Sequence, residues 1–155
     1  MYKRILLCYD GTAEGRNALR CGAELAIQLK AQVHVLAVRD MMMGALVPEA
    51  YSGATAIAAQ THADEILEEG VAWLRDRGLL AEGHLVFGRP GEHIPLVARQ
   101  LKVDLVVIGH RPQGLLSRWW MRGSTNAYEI LDHLDCSIHV AMDKSPPLPE
   151  SESHG

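Results

Sequence analysis

The stretch Asp104-Leu-Val-Val-Ile-Gly-His-Arg-Pro-Gln-Gly-Leu-Leu-Ser-Arg-Trp-Trp-Met-Arg-Gly-Ser-Thr125 decides the fold. Its apolar run, Leu105-Val106-Val107-Ile108, stops at Gly109 and opens into a segment with two more glycines, Gly114 and Gly123. That segment closes on Ser124-Thr125, where a helical pattern begins. A buried strand feeding a glycine-bearing loop and then a hydroxyl-capped helix is how α/β proteins hold phosphate. Backbone N–H groups at the helix start point outward, and the helix dipole favours an anion there.

Outward from this stretch, comparable apolar runs recur at Arg4–Tyr9, Gln32–Val38 and Ser137–Met142, with a weaker one at Gly83–Phe87. They are rich in Val, Ile and Leu and too continuous for a strand with one wet face, which marks buried parallel strands. Helical patterns separate them. Ala13–Leu29 sets Ala18, Leu19, Gly22, Leu25, Ala26 and Leu29 on one face, and Thr61–Arg77 does so with Ile66, Leu67, Val71 and Leu74 before Gly78, a natural C-cap. Glu92–Gln100 and Ser124–Leu134 complete the alternation. The expected fold is α/β: a doubly wound, five-stranded parallel sheet with helices on both faces, Rossmann-like, with ligands beyond the carboxyl ends of the strands. Residues 1–143 read as a single domain and 144–155, Pro/Ser-rich and without apolar periodicity, as a disordered tail. Met41–Gln60 falls outside the pattern and reads as a connector or as a flap over the site.

Composition narrows the function. With 48% hydrophobic and 22% charged residues the chain is an ordinary globular protein, and a net charge of −4 provides no basic field to recruit nucleic acid or an anionic membrane. The apolar run Ile5 to Tyr9 is too short for a signal core, and no stretch approaches a membrane span, so a cytoplasmic location is expected. Cys8, Cys21 and Cys136 are odd in number and lack C-x-x-C spacing; they read as small buried hydrophobes in a reducing compartment. The eight histidines form no H-x-x-x-H or H-E-x-x-H pair, so no protein metal site is expected. The absence of G-x-S-x-G, G-x-x-x-x-G-K-[S/T] and G-x-G-x-x-G argues against a serine hydrolase, a P-loop NTPase and a dinucleotide oxidoreductase.

Four segments in order then carry a resemblance: Tyr2–Thr12 (Y-K-R-I-L-L-C-Y-D-G-T), Gly88-Arg89-Pro90-Gly91-Glu92 followed by Ile94, Val103–Gly109, and Cys136–Ala141. Together they resemble the universal stress protein family over residues 2–143. The resemblance implies an adenine nucleotide (ATP, or AMP/ADP) lying across the carboxyl ends of the strands, with any Mg²⁺ carried by the nucleotide. It also implies a homodimer paired through the strand at Ser137–Met142, acting as a stress sensor or regulator. No general base is placed for hydrolysis, so at most slow ATP turnover is expected.

Carried over residue by residue, Gly109 matches the first glycine of the family's G-x2-G-x9-G-[S/T] pattern, and Gly123-Ser124 match its close. Pro112 stands at the second glycine position, and ten residues, Gln113 to Arg122, follow it where the pattern has nine. Proline has no N–H and holds φ near about −65°, so it cannot reproduce a glycine that donates to phosphate. Gly114, two residues on, offers some backbone freedom. The candidate nucleotide contacts are Asp10, Thr12, Val38, Gly109, His110, Arg111, Gly114, Gly123, Ser124 and Thr125. Asp10 and Thr12 have a second reading as caps of the helix beginning near Ala13, and Ser124 and Thr125 as caps of the next. The alternative function is a dimeric interaction module that binds no nucleotide, favoured by Pro112, with Trp119-Trp120 serving an interface.

Overall fold

The computed structural model describes residues 1–11, 13–39, 53–110 and 127–142. Strand β1 (Arg4–Cys8) leads to α1 (Ala13–Leu29), β2 (Gln32–Arg39) and α2 (Gly53–Arg75). Then come β3 (Ala81–Phe87), α3 (Pro90–Gln100), β4 (Leu105–His110), α4 (Ala127–His133) and β5 (Ser137–Met142). The five strands form one parallel sheet in the order β3-β2-β1-β4-β5.

Alternation of side chains along the strands divides the interior in two. Ile5, Leu7, Val33, Val35, Leu105 and Val107 point to one face, where α1 and α2 cover them with Ala18, Leu19, Ala23, Ala26, Leu67, Val71 and Leu74. Leu6, Leu36, Val106 and Ile108 point to the other, beneath Ile94, Val97 and Ala98 of α3 and Ile130 of α4. The central strands β1, β2 and β4 are thus buried on both sides, as their Val/Ile/Leu-rich runs require, with His34 of β2 the buried polar exception. The edge strands β3 and β5 keep more surface in water, which is why β3 reads faintly in the sequence.

Several boundaries differ from the sequence expectation, and two of them bear on the site. Helix α2 begins at Gly53, so residues 53–60 of the expected connector are helical; the alanine-rich run there has high intrinsic helix propensity despite lacking charge. Strand β4 continues through Gly109 and His110, which pair with Ala141 and Met142, so the following segment opens after His110 and not at Gly109. Residues 40–52 and the tail from 143 lie outside the described residues.

Three helices hand over to strands in the same way. Lys30 (φ 53°), Gly78 (φ 80°) and Lys102 (φ 52°) take the left-handed conformation after α1, α2 and α3. The next residue's N–H reaches back into the last turn: Ala31 to the Ala26 carbonyl at 2.9 Å, Leu79 to Leu74 at 3.3 Å, Val103 to Ala98 at 3.0 Å. This is a Schellman closure, and the two lysines adopt it without a glycine's freedom.

The amino terminus is tied down by one carboxylate. The N–H groups of Lys3 and Arg4 donate to Asp104 Oδ2 at 2.8 and 3.0 Å, and the Asp104 N–H donates to the Arg4 carbonyl at 2.9 Å. The bonds from Lys3 and then Arg4 hold the Asp104 carboxyl below its ordinary value. A depressed carboxyl contributes stability that is present above its unfolded pKa and is lost as pH falls through its folded one. Asp104→Ala is therefore expected to cost about 1–2 kcal/mol at neutral pH. The gap from wild type should close below about pH 4. Urea unfolding at several pH values measures it, and a gap constant down to acid pH contradicts the assignment.

Candidate functional site

The order β3-β2-β1-β4-β5 reverses direction at β1. The chain moves from β1 to β2 and β3 on one side, then crosses to β4 and β5 on the other. β1 leads to α1 on one face of the sheet and β4 leads to α4 on the other, and such a switch point is where doubly wound sheets take ligands.

The register defines what lines it. β1 pairs Leu7 with Val107 of β4 and Cys8 with Leu36 of β2. The Tyr9 N–H extends the pairing to the Leu36 carbonyl at 2.9 Å. Continuing that register, Asp10 comes level with His110 on one side and Val38 on the other. Three of the sequence candidates, remote in the chain, thus fall at the carboxyl ends of neighbouring strands: Asp10 two residues past β1, Val38 next to last in β2 and His110 last in β4, after the buried Gly109. Asp10 is exposed, Val38 and His110 half-buried.

Gly11 shapes the turn after β1. Its φ of 82° lies where side chains are strained, and a Cβ there would stand 3.1 Å from Ile66 Cγ2 of α2. The chain can therefore bend sharply after Asp10 and let α2 approach. Just below, burial and then the charge of Asp10 push the Cys8 thiol up to about 12. That sulfur stays protonated and is not a nucleophile.

A second arrangement braces α4. Arg89, at the start of α3, donates from Nη2 to both carboxylate oxygens of Glu129 in α4, at 3.0 and 3.2 Å. The pair is partly shielded from water, so its attraction is less screened than a surface pair's. It orients the helix that follows Gly123-Ser124-Thr125 in sequence. Arg89 and Glu129 are forty residues apart. Arg89 reads only as part of a turn motif in the sequence, and no local signal announces its partner.

Thr12, Arg111, Pro112, Gly114, Trp119, Trp120, Gly123, Ser124 and Thr125 lie outside the described residues. Among the described residues no helix is long and apolar enough to cross a membrane.

The profile of the Universal stress protein family matches residues 1–141. The universal stress protein Sll1388 of Synechocystis is 33% identical over 83 residues, which is 54% of this chain and 53% of that protein. The match thus spans about half of that relative's length. Among solved structures, a universal stress protein family member from Burkholderia pseudomallei superposes with a TM-score of 0.68 at 22% identity, covering 90% of this chain and 95% of its own. An Arabidopsis thaliana family protein with AMP bound gives 0.66 at 14% identity, covering 96% and 97%. The universal stress protein from Archaeoglobus fulgidus in complex with dAMP gives 0.62 at 19%, covering 90% and 97%. At such identities the structural likeness establishes a common fold, a five-stranded parallel sheet in this order flanked by helices. With the profile spanning nearly all of its length, this chain belongs to the universal stress protein family.

Proposed function

We propose that this chain binds an adenine nucleotide across the carboxyl ends of β1, β2 and β4 and acts as a nucleotide-responsive stress regulator in the cytoplasm. The observation that carries the reading is that Asp10, Val38 and His110 lie at the carboxyl ends of the adjacent strands β1, β2 and β4, where the strand order reverses. The AMP and dAMP complexes of two relatives support it. In this reading Asp10 accepts from a ribose hydroxyl or the adenine amino group, and the backbone at Val38 meets the base. Gly109 and His110 lead into the phosphate contacts, for which Arg111, Gly114, Gly123, Ser124 and Thr125 are the candidates, with Thr12 beside the ribose or capping α1. An N-terminal helical turn with hydroxyl side chains suits phosphate oxygens. Mg²⁺ arrives with ATP.

Isothermal titration of the full chain with AMP, ADP and ATP, with and without Mg²⁺, tests the reading. Ligand at about 100 times Kd is expected to stabilise the fold by about 2.7 kcal/mol. No heat and no thermal shift at millimolar nucleotide overturns it.

A second reading, a dimeric interaction module without nucleotide, draws on Pro112 and on the edge strand β5, whose Val140 and Met142 are exposed. Self-pairing of β5 would cover both side chains and is part of either reading.

A further inference from the structure

Away from the switch point, the sheet brings together three side chains that linear spacing does not connect. His34 lies on β2; Glu82 and His84 lie on β3. The register pairs His34 with Glu82 and Leu36 with His84, and Leu6 with His34. All three side chains therefore stand on the face covered by α3 and α4. His34 Nδ1 is 3.1 Å from His84 Nε2 and 3.5 Å from Glu82 Oε2, and the three ligand atoms all lie within 4.8 Å of one another. Among the described residues this is the one group of three or more His, Cys, Asp or Glu side chains so disposed.

We propose that His34, Glu82 and His84 form a binding site for a divalent transition-metal ion of the Zn²⁺ type. Ligands about 2.0–2.1 Å from a tetrahedral ion stand roughly 3.3–3.4 Å apart. The two observed separations from His34 Nδ1 bracket that spacing.

Hydrogen bonding alone serves the group poorly. Glu82 Oε2 and His84 Nε2 both face the same atom, His34 Nδ1, which carries at most one proton to share. A metal ion uses all three lone pairs at once, with each neutral ring keeping its proton on the outward nitrogen.

Two imidazoles and a carboxylate select Zn²⁺, Co²⁺, Ni²⁺ or Cu²⁺ over Mg²⁺ and Ca²⁺. Arg4 is the nearby cation that opposes them. The His34 side chain is 6% exposed while that of Glu82 is 62% exposed. The site is therefore anchored inside and open on the β3 edge, with a fourth position left to water. A bound ion would cross-link the edge strand to β2, and its binding does not depend on a nucleotide at the switch point.

The test uses the untagged full chain freed of metal with a chelator and titrated with Co²⁺, then Zn²⁺, without nucleotide. One equivalent of Co²⁺ is expected to give the visible bands of a tetrahedral complex, which Zn²⁺ abolishes, and Zn²⁺ should raise the melting temperature where Mg²⁺ does not. Glu82→Gln and His84→Gln should each weaken binding by at least about 100-fold, since losing a direct ligand costs no less than the outer-shell losses do. His62, His93 and His133 replaced together by Gln should leave it unchanged. Glu82 is exposed, so its variant reports even where His84→Gln folds poorly. Absence of one-equivalent binding at micromolar metal, or wild-type affinity in Glu82→Gln, overturns the site.

Discussion

Leu7→Ala is expected to destabilise this protein by about 3 kcal/mol, within the usual range for a fully buried leucine. Leu7 is 0% exposed in the central strand β1. Its isobutyl group fills the space under α1 at a helical glycine, Gly22, where an added methyl would overlap Leu7 Cδ2 and crowd Cδ1. The helix can approach β1 this closely because position 22 has no side chain. Gly22→Ala alone is expected to cost about 1–3 kcal/mol through overpacking, offset in part by about 1 kcal/mol of helix propensity. In the Leu7→Ala background the same methyl enters space the leucine has left. The double variant should therefore be more stable than the sum of the two single effects by at least about 1 kcal/mol. Chemical unfolding of the four proteins measures the cycle. Additivity within roughly 0.5 kcal/mol would show that α1 does not sit on Leu7 through Gly22.

The sequence is legible where one physical cause governs a segment. Leu105–Ile108, Ile5–Leu7 and Val33–Ala37 are buried on both faces, so their apolar runs, broken only by His34, announce central parallel strands. The one-sided apolar spacing of Ala13–Leu29 matches the observed helix at both ends. Legibility falls where tertiary context decides. Ala81 and Glu82 join β3 because they pair with Val33 and His34, not because their own pattern alternates. Gly109 and His110 remain in β4 because β5 offers partners. The site shows the same division. Asp10 and Val38 are recognisable at strand ends, yet their place beside His110 follows from two registers that no local window contains. The Arg89–Glu129 brace and the His34–Glu82–His84 group are likewise products of strand order and helix packing. A search for paired histidines along one helix necessarily passes over them, because their ligand spacing runs across the sheet.

Asp10→Ala is expected to weaken adenine-nucleotide binding by about 10- to 100-fold, the worth of roughly 1.5–3 kcal/mol for a hydrogen bond to a charged group. Gly123→Val is expected to remove binding altogether, since a β-branched side chain stands where the family pattern needs backbone next to phosphate. Gly11 acts in between. Gly11→Ala strains a φ of 82° and presses on Ile66, so stability and affinity should fall together. Pro112→Gly separates the two functional readings. If the native chain binds nucleotide and Gly123→Val abolishes it, the loop works despite its proline, and Pro112→Gly should alter affinity only modestly. If the native chain shows no binding and Pro112→Gly creates it, the proline has closed the site and the interaction module is the better description. Titration calorimetry on these variants, with the Asp10→Ala melting temperature as the folding control, reads both possibilities. Unchanged affinity in Asp10→Ala would exclude the carboxylate from the site and leave it as the cap of α1, because a group beside Val38 and His110 cannot face a bound ribose or base without exchanging hydrogen bonds with it.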